Sequence, residues 1–164
     1  MIILGIDPGK TGGIALIESK RPIMLHGLRM PTQPVASKYT LYPSAIKRVL
    51  KDNGMDIRRD VVDAVVIELV NAMPKQGVSS TFQFGRMFGA VESWAHSFYP
   101  GKVQYASPST WKPAMGLTGK TKADSIARAG ALFGDKDFWP LKSDDGIAEA
   151  ALMALWYARF RAPS

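Results

Sequence analysis

The sequence predicts an α/β domain built on a mixed sheet, and three observations carry that prediction. Short apolar segments follow one another closely at the N-terminus, as strands of a meander do. Further along, helix-like and strand-like segments alternate. One of the later segments, residues 61–70, is almost continuously apolar, which suits a central strand covered on both faces.

Residues 2–6 (Ile-Ile-Leu-Gly-Ile) form a short run rich in β-branched side chains and stopped by Pro8-Gly9, which reads as a buried strand. A Gly-rich connection leads to a second strand over 13–17, making a hairpin with the first. A third strand is expected over 22–28, before the loop Met30-Pro31-Thr32. Residues 42–51 have helical spacing, with Ala45, Val49 and Leu50 on one side and Asn53-Gly54 as the stop. The strand over 61–70 is followed by a polar loop around Pro74-Lys75-Gln76-Gly77. A helix over 79–98 then follows, in which Phe84, Phe88, Val91, Ala95 and Phe98 recur at three- and four-residue spacing. Residues 102–106 give a fifth strand. A helix over 121–133 has Thr121 as a cap and Gly134 as a stop. The last helix, 144–160, carries acids in its first turn and Arg159 and Arg161 at its end, as the helix dipole favours. The expected architecture is therefore a mixed five-stranded sheet flanked by helices, in one domain spanning 1–164.

Composition limits what such a domain does. A chain of 164 residues with 46% apolar side chains has the size and core of one globular domain. No apolar run approaches the ~18 residues of a membrane span, and the N-terminus lacks a signal peptide's basic flank and long apolar stretch. No membrane association is expected, and a cytoplasmic setting fits (a bacterial or phage-infected cell, or an organelle matrix after processing). With no cysteine, disulfide scaffolds, thiolate zinc sites and cysteine nucleophiles are excluded. The formal charge of +7 favours a polyanionic partner, with nucleic acid first, although charge alone is equally compatible with a merely solubilising surface.

The placement of the acids is more informative. Asp7 follows an apolar strand directly and precedes Pro8-Gly9. Glu68 is the only charge within Val65-Val66-Ile67-Glu68-Leu69-Val70, where a lone carboxylate costs several kcal/mol unless compensated. Asp144 and Asp145 open the last helix, and Glu149 stands one turn after Asp145 on the same face. Taken singly, Asp7 is also an ordinary turn acceptor, Asp144 and Asp145 are ordinary helix caps, and Glu149 is an ordinary solvated helix residue. Glu68 has no such local role. Together they present oxygen ligands from three elements to one point. That is what hard divalent ions require, and two such ions about 4 Å apart promote phosphodiester cleavage.

Several ordered segments carry a family resemblance. They are Ile3-Leu4-Gly5-Ile6-Asp7-Pro8-Gly9, Thr11-Gly12-Gly13-Ile14-Ala15, Ile67-Glu68, and Pro74-Lys75-Gln76-Gly77 with Phe82, Phe84, Gly85 and Gly89. Pro108-Ser109-Thr110-Trp111-Lys112 and Asp144-Asp145-Gly146-Ile147-Ala148-Glu149-Ala150-Ala151-Leu152 complete the set. As an ordered set this resembles the RuvC family of Holliday-junction resolvases, closest to its phage and organellar branch. The resemblance implies an RNase H-like fold, a homodimer, two Mg²⁺ ions per site (Mn²⁺ substituting) and paired incisions in four-way DNA. It implies no nucleotide cofactor.

Asp7 and Glu68 match the family's first two metal ligands. The last helix departs from the bacterial pattern of two aspartates three residues apart. Here Glu149 takes the second place and Gly146 stands three residues before it, so Asp145 is the better partner. Asp144 then stands behind Asp145 or caps the helix, and the two can exchange roles.

Among the cations, Lys112, Lys120 and Lys122 cluster around Gly116 and Gly119, where a basic loop can approach a phosphodiester closely. The resemblance assigns two family lysines here, matched best by Lys112 and Lys122, to phosphate contact and transition-state charge. Lys75, Gln76, Phe82 and Arg86 are candidate DNA contacts. Phe82 also fits a core or dimer surface, and Gly85 and Gly89 permit close helix approach, to the sheet or to a second copy. Trp94, Trp139 and Trp156 read as core, and His26 and His96 as structural.

The leading expectation is a metal-dependent endonuclease that resolves four-way junctions. Alternatives are a nuclease of the same fold acting on other branched DNA or on RNA, and a branched-DNA-binding module that does not cut. The binding module predicts loss of acids that are all present here. Asp7-Pro8-Gly9 with Gly12-Gly13 also resembles the first phosphate loop of sugar-kinase and actin-like ATPases, but those need two such domains.

Overall fold

A computed structural model describes residues 1–35, 38–40, 43–55, 57–69, 77–134 and 137–163. Three strands open the chain: β1 (Ile2–Ile6), β2 (Gly13–Glu18) and β3 (Ile23–Arg29). Next come a small two-stranded ribbon of β4 (Gln33–Val35) and β5 (Lys38–Thr40), helix α1 (Pro43–Asp52), strand β6 (Ala64–Glu68) and helix α2 (Val78–Phe98). Strand β7 (Val103–Ala106) and helices α3 (Pro108–Ala114), α4 (Lys122–Phe133) and α5 (Asp145–Phe160) complete it. The five-stranded sheet has the order β3-β2-β1-β6-β7. Strand β2 runs antiparallel to both neighbours, whereas β6 and β7 run parallel to β1. This is the mixed sheet that the sequence predicts.

Two elements were not expected from the sequence. The β4–β5 ribbon lies where only a loop was anticipated. Helix α3 lies in a stretch that Pro108 and Pro113 mark as a breaker region. Pro108 at its first turn costs no hydrogen bond, because the first amides of a helix have no intrahelical partner. Pro113 sits at its end. Lys112 is consequently a helical residue. Lys122 opens α4, and of the three clustered lysines only Lys120 lies in the glycine-flanked connection.

The two-residue period of the strands divides the core into two layers. Ile3 of β1 and Ala64 and Val66 of β6 face a cluster with α3, α4 and α5 that includes Trp111, Trp139 and Trp156. Leu4, Ile6, Val65 and Ile67 face the opposite cluster, with Ile46 and Leu50 of α1 and Met87, Val91 and Trp94 of α2. Continuing the alternation carries Asp7 and Glu68 onto the α5 side of the sheet. The register pairs Ile6 with Ile67, so one further step brings Asp7 beside Glu68.

Helix α5 lies unusually close to that face. Its inward positions are small (Ala148, Ala150, Ala151 and Ala154, all fully buried). A methyl group on Gly5 would stand 2.1 Å from the Ala150 carbonyl oxygen, so only glycine fits β1 beneath the helix. At the helix start, Gly12 and Gly146 form a backbone bridge, and a methyl group on Gly146 would collide with Gly12 at about 2.5 Å. The hairpin that leads out of Asp7 is thereby clamped to the turn that carries Asp145. Among the described residues, no helix is long and apolar enough to cross a membrane.

Candidate active site

Asp7, Glu68 and Glu149 meet at the carboxyl ends of β1 and β6 and the first turns of α5. One oxygen from each lies within 4.8 Å of the others. Asp7 Oδ1 accepts the Gly9 amide at 3.1 Å, as a turn acceptor does, and the same carboxylate lies beside Glu68 and Glu149. Glu68 is buried and accepts a hydrogen bond from Trp111 Nε1 at 3.0 Å. Glu149 has three contacts. Lys112 Nζ donates to both its oxygens, at 2.9 and 3.1 Å, and the Ser125 hydroxyl donates at 2.9 Å.

The aspartates at the start of α5 stand differently. Asp145 is buried, and its Oδ2 pairs with Lys122 Nζ at 2.7 Å, so it is not among the three acids that converge. Asp144 is buried too and turns the other way. Its Oδ1 accepts Arg29 Nε at 2.6 Å, and its Oδ2 accepts the Leu141 amide at 2.8 Å, closing the turn ahead of the helix. Arg29 also donates to the Ser143 hydroxyl at 3.0 Å, tying the end of β3 to this turn. Asp144 is thus occupied by an arginine and a backbone amide, while Asp145 stands nearer the carboxylate cluster.

Electrostatics distinguish these groups further. Burial, partly offset by the Gly9 amide and reinforced by Glu149, pushes Asp7 from its ordinary 3.8 up to about 6. Burial and the neighbouring Asp7 push Glu68 from 4.5 up to about 7, against the opposing effect of the Trp111 hydrogen bond. Asp145 in turn raises the Lys122 pKa, chiefly through their hydrogen bond. Four carboxylates (Asp7, Glu68, Asp145 and Glu149) face two ammonium groups (Lys112 and Lys122), a formal surplus of two negative charges. Three converging carboxylate oxygens with two acids held out of their usual range fit a divalent cation. Hard cations favour this donor type, and such a charge relieves the repulsion that raises both pKa values.

Lys120 is exposed in the connection before α4. Phe82 and Arg86 are exposed on α2, with the Arg86 guanidinium 5.9 Å over the Phe82 ring, well separated in sequence from the carboxylates. Lys75 and Gln76 lie outside the described residues. Trp94, Trp139 and Trp156 are buried, in keeping with core roles, and His96 contacts the Tyr105 hydroxyl at 2.9 Å. Sequence reasoning did not identify Trp111, Ser125 and Arg29 as partners of Glu68, Glu149 and Asp144. Their partners are remote in sequence, so no local spacing signals them. The only visible hint is Trp111 beside Lys112, in a segment already singled out.

No family model matches the chain, and no curated protein matches it significantly. Solved structures do. The chain is similar to Thermus thermophilus RuvC in complex with a Holliday junction substrate, at 24% identity and a TM-score of 0.67, over 98% of this chain and 96% of that one. A second T. thermophilus RuvC structure matches at 22% identity and a TM-score of 0.64, over 97% and 96% of the two chains. The yeast mitochondrial Holliday junction resolvase Ydc2 matches at 13% identity and a TM-score of 0.57, over 96% of this chain and 78% of that one. The backbone built from β1 to α5 is therefore the RNase H-like fold of the RuvC resolvases.

Proposed function

We propose that the protein is a metal-dependent endonuclease that resolves four-way DNA junctions by paired, symmetric incisions, acting as one nuclease domain over 1–164. The observation that carries this reading is the convergence of Asp7, Glu68 and Glu149, flanked by Lys112 and Lys122, on a fold shared end to end with T. thermophilus RuvC.

In this reading Asp7, Glu68 and Glu149 would hold Mg²⁺ or Mn²⁺, and Asp145, paired here with Lys122, would add its oxygens for a second ion. When bound, the ions supply the positive charge that activates water and stabilises charge developing on the phosphate. The chain's own groups supply the rest. Trp111 holds one Glu68 oxygen and leaves the other for the cation, while Ser125 and Lys112 together fix the Glu149 carboxylate. Lys112 and Lys122 neutralise the non-bridging phosphate oxygens as negative charge builds. A water oxygen bonds to phosphorus as the P–O3′ bond breaks, leaving a 5′-phosphate and a 3′-hydroxyl.

Paired incisions require two sites. Helix α2 offers a surface for self-association. Val78 and Phe82 are 88% and 63% exposed, and a methyl group on Gly85 or Gly89 further along would meet nothing within 4 Å. A two-fold dimer across this face presents one catalytic centre to each of two opposed strands. Such an enzyme belongs where recombining DNA is, in the cytoplasm or an organelle matrix.

The test is a synthetic mobile junction incubated with protein and Mg²⁺, beside the Glu68→Gln variant and beside fork, linear duplex and RNA competitors. The expected result is symmetric cutting of the junction by the wild type only. An intact junction, or equal cutting by the variant, refutes the reading. Faster cutting of forks or RNA transfers it to those substrates.

A further inference from the structure

An open groove of about 610 Å³ runs between the start of α4 and the Trp139–Lys142 segment, within the ~300–1,000 Å³ range of ligand sites. Ala123 and Ile126 of α4 form one wall, Pro140 and Leu141 the other, with Trp139 between them. Trp139 is buried and braced by edge-to-face packing against Phe133, at 6.2 Å between ring centres. The groove is apolar along its length and carries Lys122 and Lys142, and no carboxylate is among its lining residues. Lys122 belongs to two places at once, since it lines this groove and pairs with Asp145 at 2.7 Å. The groove therefore adjoins the carboxylate centre through Lys122, and the amide of its lining residue Leu141 is held by Asp144 at 2.8 Å.

We propose that this groove holds a nucleotide of the bound DNA next to the scissile phosphate, its base or sugar seated between α4 and Leu141 and its phosphate on Lys122 and Lys142. The inference rests on the nuclease reading above. An occupant that is both flat and apolar in its base and anionic in its backbone matches a slot with apolar walls and two lining lysines. Because Lys122 both lines the groove and pairs with Asp145, a nucleotide seated there would adjoin a phosphate held at the carboxylate centre. Leu141 is 54% exposed and follows Pro140 and the buried Trp139, so this apolar wall is open to an occupant of the groove. Seating one nucleotide outside the stack would also let the groove discriminate among bases at the cut.

Ala123→Trp fills the groove, and Leu141→Ser removes one wall. Both positions are exposed, and equal melting temperatures will show that the fold is kept. Binding is measured with Ca²⁺ in place of Mg²⁺, on junctions carrying 2-aminopurine at each position flanking the cut. Cutting with Mg²⁺ is then scored on junctions varied at those positions. The wild type should change 2-aminopurine fluorescence at one flanking position. Ala123→Trp should abolish that change, weaken binding about tenfold and flatten base preference, with Leu141→Ser intermediate, since one stacked base contributes about that much affinity. If the wild type cuts junctions and both variants match it in fluorescence, affinity and preference, the groove proposal falls and the nuclease reading stands. If the wild type neither binds nor cuts any DNA, both fall.

Discussion

Asp7 and Glu68 come from strand ends, whereas Asp144, Asp145 and Glu149 come from the last helix and the turn before it, and the two sets meet their charge differently. Each helix-borne acid has a resident cation: Arg29 for Asp144, Lys122 for Asp145 and Lys112 for Glu149. Among the described hydrogen bonds, the strand-borne acids accept from neutral donors, an amide for Asp7 and an indole for Glu68; the Lys112 charge favours their ionised forms, yet burial pushes both toward neutrality. A buried carboxylate without a directly bonded cation costs stability, and under the proposed function a bound divalent ion would offset that cost. On the proposed reading the strand pair would create the demand for metal, and the helix set would supply further oxygens already balanced by lysines.

The largest effect should come from breaking the strand pair. Asp7→Asn should lower junction cleavage by roughly 10³-fold, the upper range for loss of one preorganised electrostatic contact. It should nonetheless raise the melting temperature of the metal-free protein, because it removes a buried charge. A melting temperature unchanged or lowered in EDTA would show that Asp7 is not under electrostatic stress.

Trp111→Phe keeps the packing and deletes only the Glu68 donor. Divalent-ion affinity, measured by calorimetry with Mn²⁺, should fall about 10–100-fold, the usual cost of losing a group that orients a ligand. An unchanged affinity would mean that Glu68 needs no such support.

A smaller effect concerns pH. The folded-state values of about 6 and 7 lie above the ordinary 3.8 and 4.5, so the folded protein binds more protons than the unfolded chain between them. This contribution to stability is complete below about pH 4 and is lost as pH rises through about 7. Melting temperatures of the metal-free wild type should therefore decline relative to Asp7→Asn across that window, and saturating Mg²⁺ should cancel the divergence. Parallel curves in EDTA would contradict the assignment.

Arg29→Ala should affect catalysis least, within a few-fold, while costing ~1–3 kcal/mol of stability by leaving the Asp144 carboxylate short of a donor. Loss of cleavage as severe as that of Asp7→Asn would move Asp144 into the catalytic set.

The strand-borne half of this comparison was legible in the sequence, because its signals are local. A single acid inside the apolar run at 64–68 has no role in a strand except at a site, and Asp7 closes an equally apolar strand. The helix-borne half was only partly legible. Spacing places Asp145 and Glu149 on one face, but whether Asp144 or Asp145 turns toward the cluster depends on Arg29, which reaches it from the end of β3. Trp111 and Ser125 escaped notice for the same reason: their partners are set by packing of α3 and α4 on α5. Pro108 and Pro113 concealed α3, since the residues that break a helix interior also mark its ends.

The bridge between Gly12 and Gly146 has a consequence for when activity arises. It joins the turn after β1 to the start of α5, and the cluster needs Glu149 from α5 beside Asp7 and Glu68 from the strands. At ~5–20 residues per second, the ribosome exposes β1 and β6 seconds before α5 emerges. Through that interval Asp7 and Glu68 lack Glu149 and Asp145. If the proposed activity holds, a growing chain would be inert toward DNA until α5 docks, and cutting would report that this contact has closed.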